Sequence, residues 1–231
     1  MWSDWRAWFD ACADGGYVYH VLNRAVGRAT LFAKARDYAA FEKVLRQGGE
    51  RFGMRLLSFL LMPNHWHLVV WPSADGTLST YLQWLTVTHV RRWHAHYHTG
   101  GTGPIYQGRF RSFPVQDGDH FLAVCRYVER NALRANLVPR AQDWRWSSLW
   151  HRDKQTGVPW LSAWPMPIPE DWAAYVNRTE SAGELAALRR CVARGAPYGE
   201  PLWQERTAAA LGLQSALRGL GRPRKQGGKE T

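Results

Sequence analysis

Residues 56–72 read LLSFLLMPNHWHLVVWP. Two apolar runs flank a Pro63-Asn64 step. A two-residue link rich in turn formers joins antiparallel strands more readily than helices. Each run is short and rich in residues that suit a pleated surface. The stretch therefore predicts two strands, residues 54–62 and 65–71, folded into a tight hairpin. Successive side chains on a strand point to opposite faces. His65 and His67 then share one face and Trp66 takes the other. Two imidazoles ~7 Å apart on one face can grip a divalent cation between them. Two histidines alone make a weak site. A third ligand is needed, with positions left open for a substrate oxygen. Taken by itself, such a pair is more often two satisfied polar residues at a strand start.

Upstream, YVYHVLN (residues 17–23) reads as a first strand. ARDYAAFEKVLRQGGERFG (35–53) reads as a helix, with Tyr38, Phe41, Val44 and Leu45 at helical spacing. Asp37 or Thr30 starts it and Gly48-Gly49 stops it. Downstream, residues 77–100 form a second helix rich in Arg and His, ending at Gly100-Gly101. IYQGRFRSFPVQ (105–116) is a fourth strand or an irregular segment. Asp119 caps a third helix, HFLAVCRYVERNALRAN (120–136), about four turns long. The order β-α-β-β-α-β-α predicts an α+β fold. It implies a ferredoxin-like α/β sandwich, with a central antiparallel sheet and helices on one face.

The character changes near residue 150. TGVPWLSAWPMPIPED (156–171) is Pro- and Trp-rich and reads as a wrapping linker. A helix is expected over 180–194, then two short helices and a basic, Gly-rich tail. The chain is thus divided into a domain over 15–150 and a mainly helical C-terminal extension over 151–231.

The 30 Lys and Arg against 19 Asp and Glu give a formal charge of +11. That excess attracts phosphate backbones or anionic membranes. No apolar run approaches the ~18–20 residues of a membrane span, and the N-terminus has no secretory pattern. Cys12, Cys125 and Cys191 are odd in number and far apart. They suit reduced thiols in a cytoplasmic protein. Most of the 14 tryptophans are expected to pack short apolar segments, and a minority to stack on bases.

On the third helix Tyr127 and Asn131 are spaced i, i+4 and share a face. Asparagine offers a carbonyl oxygen as a ligand and tyrosine a phenolic nucleophile. Each alone reads as core or helix end; their pairing with His65 and His67 carries the chemistry.

The ordered set YHVLNRAVGR, LLSFLLMPNHWHLVV, YQGRFRS and RYVERNALRANLV resembles the REP-associated tyrosine transposases. These are relatives of the single-tyrosine HUH insertion-sequence transposases. Their M-P-N-H-x-H-L pattern matches residues 62–68, and their tyrosine motif matches 126–135. Ala132 stands where relatives commonly have proline. The resemblance spans roughly residues 15–150, and PYG followed by WQERTAAALGLQSALRGLGRPRK resembles the tails of longer members.

What the resemblance implies is specific. Single-stranded DNA is cleaved by transesterification and can be rejoined. Mg²⁺ or Mn²⁺ sits at His65, His67 and Asn131, while Tyr127 forms a 5′-phosphotyrosine. His20 is a candidate for supporting the metal ligands or touching substrate. The expected partner is a REP-type hairpin with a short 5′ guide. Candidate DNA contacts are Arg91 and Arg92 on the second helix, and Gln107, Arg109 and Arg111 in QGRFRS. Arg222 and Arg224 in the tail form a candidate minor-groove hook. A monomer with its tyrosine in cis is favoured over a homodimer working in trans. Two readings compete: a non-catalytic DNA-binding regulator, and a metal-dependent nuclease using water. The joint presence of His65, His67, Tyr127 and Asn131 speaks against the regulator, and a covalent protein–DNA band separates the tyrosine transposase from the water-using nuclease.

Overall fold

The structure is a computed structural model and describes residues 16–218. Cys12, Arg222 and Arg224 lie outside the described residues. Four strands form one antiparallel sheet: β1 (Val18–Arg24), β2 (Arg55–Met62), β3 (His65–Trp71) and β4 (Arg111–Val115). Their spatial order is β2-β3-β1-β4. With helix α1 (Ala35–Phe52) between β1 and β2, and α2 (Thr77–Tyr97) between β3 and β4, this is the ferredoxin-like connection.

The hairpin forms where its turn residues place it. β2 ends at Met62, β3 begins at His65, and those two residues pair. Near the other end of β2 the register shifts between Leu56 and Ser58. β4 contains Pro114, which cannot donate to a ladder; as the outer strand beside β1 it tolerates that loss.

α1 begins where the Asp37 carboxylate accepts the backbone N–H groups of Ala33 and Lys34, both at 2.9 Å. Contrary to the sequence reading, it runs through Gly48-Gly49 and ends at Gly53, whose φ is +60°. Gly48 has another use. A Cβ there would lie 2.7 Å from the Tyr81 ring and 3.0 Å from Trp84, so its smallness lets α1 and α2 meet. α2 likewise ends earlier than expected, at the left-handed His98 rather than at the glycines beyond it.

The two sheet faces carry separate cores. Tyr38, Phe41 and Leu45 of α1 and Tyr81 and Leu85 of α2 pack on Val21, Trp66 and Leu68. Helix α3 (Asp119–Glu129) covers the other face, where Phe121, Val124 and Val128 meet Val69, Phe113 and Val115. Burying a side chain of this kind contributes ~1.5–3 kcal/mol. The expected placement of helices on one face thus describes α1 and α2, and α3 lies opposite. Asp119 is the first residue of α3 and not its cap; Gly118, with φ +66°, precedes it. The helix breaks briefly at Arg130 before α4 (Asn131–Arg134), but Arg130 keeps near-helical angles of −81° and −10°.

The later residues close both edges of the sheet. Trp144 Nε1 donates to Leu61 O, Trp164 Nε1 to Leu57 O and Ser162 N to Leu56 O. Leu61 N in turn donates to Trp146 O. On β4, Tyr198 N donates to Pro114 O and Gln116 N to Tyr198 O. Unpaired edges template unwanted pairing, and here both are engaged. Several tryptophans therefore act through their N–H groups as well as their area. Helices α5 (Ser148–Asp153), α6 (Trp172–Asn177) and α7 (Ala182–Arg194) join the α3 side. Two further helices, α8 (Pro201–Leu211) and α9 (Gln214–Leu217), complete the described chain. No helix among the described residues is long and apolar enough to cross a membrane.

Candidate active site

Register alone assembles one side of the site. Leu22 pairs with His67 and Arg24 with His65, so these side chains project on the same face. Arg111 pairs with Leu22 from the other side and joins them. This is the face that α3 covers, and it brings Tyr127 down onto the histidines. The ring centroids of His65 and His67 are 5.0 Å apart, and those of His67 and Tyr127 are 6.0 Å apart. His20, two residues before Leu22 on β1, has its ring 6.2 Å from that of Tyr127.

Each candidate ligand is held by its Nδ1. His65 Nδ1 bonds Asn64 Oδ1 at 2.6 Å, and His67 Nδ1 bonds His20 Nε2 at 2.9 Å. The second bond turns His67 Nε2 toward Asn131, whose Nδ2 lies 3.4 Å away. Fixing one ring nitrogen of a ligand histidine sets its tautomer and aim. Burial pushes His20 down to about 3. Burial and then the Arg24 charge push His65 down to about 4. His67 falls well below the ordinary histidine range through burial, the neighbouring imidazoles, and Arg134 and Arg24. All three are therefore neutral near pH 7, the state that ligates a metal.

Asn131 follows Tyr127 by one helical turn, and its Nδ2 also donates to Tyr127 O at 3.2 Å. Its Oδ1 accepts from Arg134 Nη1 at 3.1 Å. The Arg134 guanidinium sits 4.7 Å from the centroid of the Tyr127 ring. Glu180 accepts from Arg134, and its other oxygen lies 3.2 Å from Arg130 Nε. Tyr127 is buried, and burial raises its phenol above the ordinary value. Arg134 and Arg189 oppose that rise, Glu180 adds to it, and Arg24 opposes it.

The donor set fits a divalent cation. Two neutral imidazoles with Nδ1 engaged lie side by side, and His67 Nε2 faces the amide four residues beyond the tyrosine, whose oxygen would reach a cation once the carboxamide turns. Among the described residues no group of three His, Cys, Asp or Glu side chains is arranged to hold a metal ion, and His20 is turned to His67 Nδ1, so a third protein ligand here would be an amide oxygen.

The other candidates spread around the β1–β4 end. Arg91, Arg109 and Phe110 line a cavity of about 670 Å³ between α2 and the segment before β4. Gln107, Arg109 and Arg111 line a second cavity of about 250 Å³ with Leu22 and Arg24. Asn23, Gly108 and Arg109 border both. Arg92 is set apart: it donates to Gln47 Oε1 at 2.9 Å and lines a different hollow with Arg36 and His96. Arg24, Arg134 and Glu180 escaped sequence reasoning. Strand parity would have placed Arg24 beside the histidines, and helical spacing would have placed Arg134 beside Asn131. Glu180 arrives only through tertiary packing.

The chain shares the fold of a solved REP-associated tyrosine transposase bound to a REP hairpin. The match has a TM-score of 0.52 at 15% identity, covering 73% of this chain and 87% of that one. A transposase-like protein of Deinococcus radiodurans R1 matches 48% of this chain and 88% of its own, at 18% identity and a TM-score of 0.37. No curated protein matches the sequence. The family described as "Transposase IS200 like" matches residues 15–131, half of the chain and the span from β1 to Asn131. The chain belongs to the IS200-like transposase family.

Proposed function

We propose that this protein cleaves and rejoins single-stranded DNA beside a REP-type hairpin, with Tyr127 as nucleophile and Mg²⁺ or Mn²⁺ held by His65, His67 and the Asn131 oxygen. The observation that carries the reading is the convergence of Tyr127, His67 and Asn131 in one chain of this family, with ring centroids of Tyr127 and His67 6.0 Å apart. That closeness within a single chain favours a monomer acting in cis.

The bound cation would supply positive charge against a nonbridging oxygen of the scissile phosphate. Tyr127 Oη attacks phosphorus, the bond to the 3′ oxygen breaks, and a 5′-phosphotyrosine and a free 3′-OH result. One phosphodiester replaces another, so the reverse attack by a 3′-OH rejoins the strand without ATP. His20 holds the His67 ring in place. Arg134, over the phenol, favours its charged form against burial. The cavities flanked by Arg91, Arg109 and Arg111 carry positive charge that suits the phosphates of a DNA strand. The hairpin preference draws on the similar structure that is bound to a REP hairpin.

The test uses labelled hairpin oligonucleotides with single-stranded flanks and Mg²⁺ or Mn²⁺. The wild-type chain is expected to give a covalent band, and Tyr127→Phe to bind without forming one. An equal band from Tyr127→Phe refutes the nucleophile. Cleavage with no band at all points to a nuclease using water.

A further inference from the structure

Arg24 is the last residue of β1, and the register sets it opposite His65 on the face that holds Tyr127. Most arginines near this site are tied to carboxylates. Arg126 pairs with Glu184, Arg130 and Arg134 with Glu180, and Arg152 with Glu129. Among the described residues Arg24 makes no ion pair. Its Nε is shut from solvent and has no hydrogen-bond partner. A buried charged donor without an acceptor is uncommon. Arg126, Arg130 and Arg134 each have one such nitrogen too, but each has a carboxylate on another nitrogen, and among the described residues Arg24 has none. The side chain opens on the cavity of about 250 Å³ that it lines with Gln107, Arg109 and Arg111. Its charge is, after burial, the second cause that pushes the neighbouring His65 down. A cation without a carboxylate partner, lining a cavity with two further arginines and set beside His65 in the register, suits an anion that enters from that cavity.

We propose that Arg24 is a phosphate-binding group of this site, its guanidinium holding a nonbridging oxygen of the phosphodiester that Tyr127 attacks. This rests on the cleavage reading above and adds a residue to it. Guanidinium is suited to the task because its planar N–H groups match two phosphate oxygens and its charge does not titrate away. Arg109 and Arg111 then hold the phosphates that follow along the cavity, outside the reacting position.

The experiment scans the substrate one linkage at a time. Hairpin oligonucleotides carry a single neutral methylphosphonate at successive positions of the flank. Affinity is measured with the full chain bearing Tyr127→Phe, so that no cleavage intervenes. Neutralising one linkage is expected to weaken binding roughly 10- to 100-fold, the range for a hydrogen bond to a charged group. With Arg24→Gln added, that linkage should lose its special effect while the others keep theirs. Arg24→Lys should retain part of it, and it serves as the readout if Arg24→Gln does not fold. Undiminished sensitivity at every linkage in these variants overturns the proposal. The sensitive linkage is then compared with the one at which the chain retaining Tyr127 forms its adduct. Agreement supports the assignment to the attacked phosphate, and a different linkage overturns it. Absence of any adduct defeats the cleavage reading and the assignment to the attacked phosphate together. In that case the linkage scan still judges whether Arg24 binds a phosphate.

Discussion

Asn131 turns its amide nitrogen, not its oxygen, toward His67. Nδ2 lies 3.4 Å from His67 Nε2, while Oδ1 accepts from Arg134 Nη1 at 3.1 Å. Presenting the oxygen to a cation beside His67 requires a half-turn of the carboxamide, which breaks the bond to Arg134. Arg134 keeps Glu180 as its partner through that change. A cation beside His67 would therefore have to turn this amide away from Arg134.

A substitution that keeps the shape of Asn131 but removes the oxygen tests this. Asn131→Leu is expected to raise the Mn²⁺ concentration for half-maximal adduct formation by ~10-fold or more, the scale of losing one ligand or its support. A Mn²⁺ titration of adduct yield checks it. An unchanged requirement would remove Asn131 from the metal set.

The arginines of the second helix should separate in a binding experiment. Arg91 lines the large cavity with Arg109, whereas Arg92 is turned to Gln47 on α1. Arg91→Ala and Arg109→Ala are each expected to weaken DNA binding and flatten its salt dependence by about one phosphate contact. Arg92→Ala should do neither. Affinity measured across a salt series decides, and a matching slope change in Arg92→Ala would refute the division.

The hairpin, the sheet and the pairing of His65 with His67 were legible because strand parity and a two-residue turn are local properties. The meeting of Tyr127 and Asn131 on one helical face was legible for the same reason. Gly48 was misread as a helix stop, since the rings of Tyr81 and Trp84 that require it come from another element. The Glu180 clamp and the tryptophan N–H bonds to β2 were hidden for a similar reason. They join residues about fifty to a hundred positions apart, and no periodicity encodes that.

Glu129 is the polar centre that binds the tyrosine helix to the later residues. It is fully buried, and its Oε1 accepts from Ser58, Ser148 and Arg152 while Oε2 accepts from Trp172 Nε1 at 2.7 Å. Glu129→Gln leaves the Arg152 charge without its partner. The expected loss is ~3–5 kcal/mol, the range for breaking a buried pair from one side. Trp172→Phe removes only one bond to a charged acceptor and should cost ~1.5–3 kcal/mol. Urea unfolding of both variants checks the order. A Glu129→Gln loss below that of Trp172→Phe would refute the central role of the carboxylate.

His89 gives the fold a measurable response to acid away from the tyrosine. Its ring is buried between Phe32 and Phe41, with Nδ1 2.6 Å from Tyr106 Oη. Burial pushes it down to about 3, against a smaller opposing pull from Asp37. The unfolded chain takes up this proton near pH ~6.5, whereas the folded chain resists until pH falls much further. The stability contribution is therefore fully present above ~6.5 and is lost progressively as pH falls toward the folded value. At pH ~5 the loss from this one group should be about 2 kcal/mol. Other buried groups, Asp37 among them, add their own acid dependence, so the comparison must be a difference. Hydrogen bonds from Tyr97 and from the Lys34 and Ala33 backbone, with the Lys34 charge, outweigh burial and hold Asp37 below its ordinary value. His89→Gln keeps a polar group toward Tyr106 but cannot take the proton. Urea unfolding at pH 7 and pH 5 should show a smaller drop in the variant than in the wild type, whatever their absolute stabilities. Equal drops would mean that His89 takes its proton without unfolding the chain.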